Sequence, residues 1–249
     1  MGVPWGMTLN AWRSRLRAGV ALLALLGGAA RAGDLFPVQE VRFSADGRAV
    51  LVVTAGVQDG SGFPVSALAV YSTATGARLA AASRREEGPA APAQVAARLL
   101  GAQRTVLGRY GLLNRPAATA RYRRTFAPLI GWADGLRAGQ AGRVDVPLWS
   151  RPVPVTWRVY PVRAAACPTP SGRLALLPPG ERVAGVQVKV NAQVVHADAF
   201  LPCSREGTAR YALDGVYVQG NRAAVLMRGY RPGFEGPDAD LLVIATTLR

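Results

Sequence analysis

The sequence predicts a mainly β protein, with antiparallel, sandwich-like sheets and one amphipathic helix packed on them. Three observations favour this class. Short apolar segments with strand-like alternation recur along the chain, 28 Gly and 18 Pro encode frequent turns, and only one stretch has helical periodicity. Because 50% of the residues are hydrophobic and 18% are charged, the composition excludes an intrinsically disordered chain. The lack of a heptad or Gly-X-Y period excludes a coiled coil or a fibre.

The first strands are predicted on either side of an Asp46-Gly47 turn, which joins residues 41–43 to the apolar run at residues 49–55. Further strands are expected at residues 67–72 and 78–82. This series of N-terminal hairpins resembles a single β-propeller blade. A closed propeller needs about four or more blades, so the sequence excludes one.

Helical periodicity runs from Pro92 to Leu113, where apolar residues recur every three or four positions and arginines occupy other faces. This pattern predicts one amphipathic helix that packs on a sheet. Residues 114–142 are ambiguous. Basic and aromatic residues over 121–126 suit either an ordinary strand with one polar face or an edge that binds a polyanion. Residues 131–142, which are rich in Gly and Ala, are predicted to form a loop.

From residue 143 onward the pattern is again that of strands, and a Gln219-Gly220-Asn221 turn joins two of them as a hairpin. No segment has the composition of a linker, so residues 33–249 are predicted to form a single domain. About ten or eleven strands are expected in total. The later ones are predicted at residues 153–160, 186–190, 194–200, 211–218, 223–230 and 241–247.

Residues 1–32 have the pattern of a secretory signal peptide. Arginines precede the apolar run at residues 18–26, and Ala30-Arg31-Ala32 supplies a small-x-small cleavage site. The apolar run is shorter than the roughly 20 residues of a spanning helix, which disfavours the alternative of a membrane anchor. We therefore expect a secreted or periplasmic protein, cleaved after Ala32, with no transmembrane segment in the mature chain.

The mature chain is predicted to be strongly basic. Cleavage removes four of the 30 basic residues and none of the 15 acidic ones, which leaves 26 basic residues against 15 acidic and a net charge of +11. Only Lys189 is a lysine. Such a charge attracts anionic polymers, phospholipid headgroups or acidic partners. A solvated basic surface that reflects GC-rich coding is the alternative interpretation.

Cys167 and Cys203 are the only cysteines in the chain. In an exported protein the expected state of such a pair is a disulfide. The competing hypothesis is a catalytic cysteine, because the sole histidine, His196, lies seven residues before Cys203. Nothing else in the sequence completes a triad, so we interpret the pair as structural.

Two loops are candidate ligand sites, residues 57–64 and residues 231–238. Gly60 and Gly62 permit unusual backbone angles in the first loop, and the second contains several acids. Together the loops can offer oxygens to Ca²⁺, or a carboxylate pair about 5–10 Å apart for glycoside hydrolysis. Ordinary turns are the alternative. The candidate residues are Asp59, Ser61 and Phe63 in the first loop and Arg231, Phe234, Glu235 and Asp238 in the second.

The chain contains no P-loop, Rossmann fingerprint, G-x-S-x-G or HExxH motif. A single histidine cannot form a histidine-based zinc site. We therefore expect no metal and no cofactor, with Ca²⁺ at the two loops as the remaining option. Export and the lack of a binding motif also argue against a nucleic-acid partner.

The segments GVQDGSGFP, FSADGR and YRPGFEGPD resemble the DUF2259 family of predicted secreted bacterial proteins. Cys167 and Cys203 fit the pattern of that family, and the resemblance spans nearly all of the mature chain. It implies a secreted bacterial protein. It implies no activity and no catalytic residues, because the family has no established function.

These observations favour an exported, non-catalytic protein that binds an anionic envelope component or partner. The alternative is a secreted hydrolase with acids drawn from Asp59, Glu235 and Asp238. A third hypothesis is a structural subunit, for which an exposed apolar edge strand would be the signature.

Overall fold

The computed structural model describes residues 33–127, 129–169, 171–234 and 236–249. Within these residues, thirteen strands form three antiparallel sheets, and one short helix packs on the first sheet. The mainly β class predicted from the sequence is therefore confirmed. The predicted signal peptide and its cleavage site lie outside the described residues, and the predicted single domain stays a prediction.

Sheet A is a four-stranded meander in which each strand pairs with the next along the chain. Ser44 and Asp46 hold the first turn together through a 2.6 Å hydrogen bond, and Gly47 takes a φ of +69°. The predicted hairpins are present, and the described residues form no propeller. The strands are β1 (Val38–Phe43), β2 (Ala49–Val57), β3 (Pro64–Ser72) and β4 (Arg78–Arg85).

The predicted helix over residues 92–113 is shorter than expected. Helix α1 (Pro92–Ala102) ends at Gln103, whose backbone is not helical, and a short helix α2 (Arg104–Arg109) follows. The β-branched and glycine residues of α2 are weak helix formers. The break allows Leu107 and Leu112 to join Leu99 of α1 in the core on sheet A.

Sheet B has the order β13-β12-β11-β5, and β6 also pairs with β11. Its long central strands are buried on both faces, which explains their nearly continuous apolar sequences. The ambiguous residues 121–126 begin in an edge strand of this sheet. The strands are β5 (Ala120–Arg123), β6 (Leu136–Arg137), β11 (Arg210–Gln219), β12 (Arg222–Pro232) and β13 (Pro237–Thr247).

Sheet C has the order β10-β9-β8-β7. The prediction of a loop over residues 131–142 is wrong, because this stretch contains a 3₁₀ turn (Trp132–Asp134), β6 and the beginning of β7. Two more 3₁₀ turns lie at Arg173–Leu176 and Cys203–Arg205. The strands of sheet C are β7 (Ala141–Val146), β8 (Val153–Pro161), β9 (Ala184–Val190) and β10 (Gln193–Ala197).

Sheet B lies between the other two sheets. One face of sheet B shares a core with β1 and β2, through residues such as Val50, Leu226 and Val243. The opposite face shares a core with sheet C, through residues such as Val188 and Met227. Helix α1 covers the outer face of sheet A. In the part of the chain that the structure describes, no helix has the length and apolar character needed to span a membrane.

Candidate functional site

The first candidate loop is the turn between β2 and β3. Gly60 and Gly62 take φ angles of +75° and +68°, in the left-handed region that favours glycine. The Asp59 carboxylate accepts a 2.9 Å hydrogen bond from the Gly60 N–H, and the Ser61 hydroxyl accepts one from the Phe63 N–H. These polar groups therefore shape the turn itself.

The second candidate loop is shorter than the sequence suggested. Arg231 and Asp238 belong to β12 and β13, which end and begin at Pro232 and Pro237. Phe234 at its tip is 96% exposed. Glu235 lies outside the described residues.

Asp34 connects the two loops, which lie at the same end of the molecule. Its carboxylate accepts a 2.6 Å hydrogen bond from the Asp59 N–H, and its own N–H donates to the Asp238 carboxylate at 3.2 Å. Burial raises the pKa of Asp34, and the neighbouring carboxylates raise it further. The Asp238 carboxylate also accepts a 2.7 Å hydrogen bond from Arg173. The described acids of the two loops thus hold the N-terminal segment in place.

No group of three or more His, Cys, Asp or Glu side chains within the described ranges is arranged to hold a metal ion. Phe63 contacts the Arg85 guanidinium, which lies 4.6 Å from the ring centroid. Ligand binding at Asp59, Ser61, Phe63, Arg231, Phe234, Glu235 and Asp238 stays a prediction.

Cys167 and Cys203 form a disulfide, with their Cα atoms 5.6 Å apart. The predicted disulfide is confirmed, and neither sulfur is a free thiol in this structure. The disulfide attaches the segment that follows β8 to the 3₁₀ turn at Cys203–Arg205. Nearby, His196 contacts the Asp198 carboxylate at 3.0 Å, not a nucleophile.

A groove of about 610 Å³ opens where the β3–β4 half of sheet A faces sheet B. The wall formed by sheet A carries the small residues Ala67, Ala69, Ala81 and Ser83. Stacked sheets lie roughly 10 Å apart, a gap that methyl and hydroxymethyl groups cannot fill. In the β1–β2 half, larger side chains such as Phe43 close the same gap. The groove is therefore a consequence of side-chain size along two strands.

The groove extends along β13. A second cavity of about 550 Å³ is lined by some of the same residues, including Tyr71, Arg78 and Leu242, and extends the groove as far as Thr246. Residues from both faces of β13 line it, with Val243 on the face toward sheet A and Leu242 on the face toward sheet C. The cavity thus curves around the edge of the strand.

Arginines dominate the charged lining of the groove. Arg78 is exposed and forms no ion pair with any carboxylate in the described ranges. Arg231 donates a 3.1 Å hydrogen bond to Asp240, and Arg205 donates one of 3.0 Å to Asp198. Burial raises the pKa of Asp240, and the Arg231 charge opposes this effect.

Asp198 anchors the wall of the groove that contains Arg205. Burial raises its pKa, but hydrogen bonds from His196, Arg205 and the Val186 N–H outweigh burial and hold the pKa well below its ordinary value. Thr208, another lining residue, has a buried hydroxyl oxygen without a hydrogen-bond partner in the described structure. A ligand with a polar atom at this position would supply the missing hydrogen bond.

Of the residues that line the groove, Arg231 is a site residue predicted from the sequence, and the others are not. The sequence does contain one feature that points to the groove, the small residues at alternate positions 67, 69, 81 and 83. On strands, such residues lie on one face and weaken packing there. Their meaning depends on which strands oppose them, and the sequence pattern does not carry that information.

Three antiparallel sheets, one intramolecular disulfide and an arginine-lined groove define a β-rich, disulfide-bonded protein with a candidate binding cleft. A family model described as predicted secreted protein (DUF2259) matches residues 52–247. The chain belongs to this family, and the resemblance seen in the sequence is confirmed. Comparison with curated proteins gives no match.

Proposed function

We propose that this protein is exported and binds an anionic component of the cell envelope, or an anionic partner there, in the groove beside β13. The observation that carries the proposal is Arg78. It lies at the groove without a carboxylate partner among the described residues, whereas Arg205 and Arg231 on the opposite wall are paired with Asp198 and Asp240. An arginine without a carboxylate partner at a groove favours a ligand with carboxylate or phosphate groups.

Export is supported by three independent features. The family is one of predicted secreted proteins, residues 1–32 have the pattern of a signal peptide, and the cysteines form a disulfide. Disulfides persist in oxidising compartments such as the periplasm or the extracellular space. A periplasmic or secreted location follows as part of the proposal.

The test is co-sedimentation of oxidised protein (residues 33–249) with purified cell-envelope fragments over a series of salt concentrations. Binding should weaken steeply as salt rises, because screening shortens the range of the attraction. Arg78→Gln should reduce binding at low salt by about fivefold or more. Arg104→Gln removes the same charge from the exposed surface of α2 and is the matched control.

Two results would contradict the proposal. One is no sedimentation with any envelope fraction at low salt. The other is an equal loss of binding in Arg78→Gln and Arg104→Gln, which would assign the binding to net charge and not to the groove.

The hydrolase hypothesis has weaker support. The connection of Asp59 and Asp238 through Asp34 is the observation in its favour. Against it, the Asp238 carboxylate is already held in a 2.7 Å ion pair with Arg173, so it is not free to face a substrate. Incubation of the oxidised protein with peptidoglycan and envelope polysaccharides should release no reducing ends. If the protein released reducing ends and Asp238→Asn abolished this activity, the result would favour the hydrolase hypothesis.

A further inference from the structure

The outer edge of β13 has backbone groups that no strand of the described structure pairs with. The Ala239 N–H donates a 2.9 Å hydrogen bond to the Asp34 carbonyl, so it points away from β12. In an antiparallel pair this orientation repeats at every second residue. The unbroken register between β12 and β13 therefore directs the backbone groups of Leu241, Val243 and Ala245 to the same outer edge.

The groove lies along this edge. Leu241 and Val243 line it on the side of sheet A, and Leu242 lines it on the side of sheet C. A strand added to β13 would thus find space for its side chains on both faces. The N-terminal segment at Asp34 already uses the first position of the edge, which shows that this edge accepts backbone hydrogen bonds.

The lining of the groove indicates which side chains an added strand would carry. Toward sheet A, the small residues Ala69 and Ala81 leave room for medium-sized side chains, and Arg78 favours a carboxylate. Toward sheet C, Ser204 presents a hydroxyl group, while Arg205 and Arg231 are paired with Asp198 and Asp240. The charge of Arg78, which has no carboxylate partner among the described residues, therefore favours acidic side chains over basic ones.

We infer that the groove binds an extended acidic peptide segment of a partner protein, which pairs with the free edge of β13 as an additional strand. This inference rests on the proposed function and names the chemical class of the ligand. Donors and acceptors repeated at every second residue of an edge match the backbone of an extended polypeptide. Polysaccharides and lipid headgroups lack that repeat.

The first experiment measures binding of the oxidised protein to synthetic octapeptides with blocked ends. In these probes valine alternates with glutamate, with threonine or with lysine. The glutamate peptide should bind more tightly than the lysine peptide, by about tenfold or more, because glutamate attracts the Arg78 charge and lysine repels it. Methylation of every second backbone nitrogen, in the frame that faces β13, should weaken binding by about tenfold or more, whereas methylation in the other frame should not.

Protein variants supply the second experiment. Val243→Pro removes an N–H that points to the outer edge and leaves the β12 ladder intact, so it should abolish binding of the glutamate peptide. Ala81→Leu fills the opposite wall without changing β13 and should also weaken binding. Ala102→Leu, at an exposed position of α1, is the matched control. Thermal unfolding of each variant verifies that the fold is retained.

The outcomes separate this inference from the proposed function. Envelope binding could depend on Arg78 and yet be unchanged in Val243→Pro and Ala81→Leu. This result would overturn the inference that a peptide pairs with β13, and the proposed binding of an anionic partner would stand. Failure of all octapeptides to bind, or equal binding of both methylation frames, would overturn it too. Self-association in sedimentation velocity that Val243→Pro abolishes would assign the edge to a second copy of this chain.

Discussion

Arg228 and Asp214 form an ion pair inside sheet B, where their side chains are only 2% and 6% exposed. The guanidinium donates to Asp214 at 2.7 Å and to the carbonyls of Phe36 and Ala239. It therefore joins β12 to the N-terminal segment and to β13. A charge buried in this way is stable only while its partners remain.

Removal of Arg228 alone should be strongly destabilising. Arg228→Met leaves Asp214 buried without a counter-charge, and we expect a loss of about 3 kcal/mol in the free energy of unfolding. The double variant Arg228→Met, Asp214→Leu should be less destabilised than Arg228→Met, because it leaves no unpaired charge. Urea denaturation measures both. The control is Arg143→Met, which removes the exposed ion pair between Arg143 and Asp145 and should change the free energy of unfolding little. A double variant as unstable as Arg228→Met, or more unstable, would contradict this explanation.

Asp198 should make the stability depend on acid pH. Its pKa is lowered in the folded protein from an ordinary value of 3.8, so its stabilising contribution is present above about pH 4 and decreases as the pH falls further. Asp198→Asn should cost about 3 kcal/mol at pH 7, and the difference from the wild type should narrow below pH 4. Urea denaturation at pH 7, 5, 4 and 3 tests this. A constant difference over that range would show that Asp198 acts through packing alone.

At the scale of elements, β7 and β8 depend on a glycine opposite a tryptophan. Gly142 pairs with Trp157 across the two strands, and a Cβ at Gly142 would lie 2.2 Å from the Trp157 ring. The indole thus occupies the space that any other side chain at position 142 would need. This contact explains why a glycine interrupts a strand that is otherwise regular.

Gly142→Ala should destabilise the protein by about 2 kcal/mol, because the indole has to move out of a packed core. Gly101→Ala makes the same change in helix α1, where nothing lies within 4 Å, and should stabilise it by about 0.5–1 kcal/mol. Thermal unfolding of the two variants gives the comparison. If neither variant changed the thermal stability, the result would argue against the Trp157 contact.

The elements differ in how well the sequence predicted them. Strands such as β8 and β9 alternate apolar and polar residues, and this local pattern was sufficient to predict them. The break at Gln103 depends on where Leu107 and Leu112 reach the core on sheet A, which helical periodicity does not reveal. Likewise, pairing with β12 extends β13 back to Pro237, inside a segment whose glycines and prolines predicted a loop.

At the scale of the whole molecule, the disulfide joins positions 36 residues apart and borders the groove. Replacement of Cys167 and Cys203 by serine should lower the free energy of unfolding by about 3–4 kcal/mol, mainly because the unfolded chain gains freedom. Because Pro202, Ser204 and Arg205 adjoin Cys203 and line the groove, peptide binding should also weaken. Denaturation with and without a reductant measures the first effect. A wild type equally stable in both conditions would contradict it.

The candidate site shows the limit of local patterns most clearly. Asp59 and Asp238 stood out because glycines and acids cluster in their loops, and the structure gives the hydrogen bonds of both to Asp34. Arg78 did not stand out, because it is one of many arginines in the sequence. Its proposed role rests on its place with Ala81 and residues of β13 in the lining of the groove.

The sequence by itself determined the mainly β class, most strand positions, the family and the cysteine pair. These properties depend on local hydrophobic patterns, on turn residues and on the presence of only two cysteines. The tertiary structure decided that sheet B lies between two others, and that the small residues of β3 and β4 face a free strand edge. The physical reason is that a groove arises from the sizes of side chains on opposing elements, and those elements are distant in the chain.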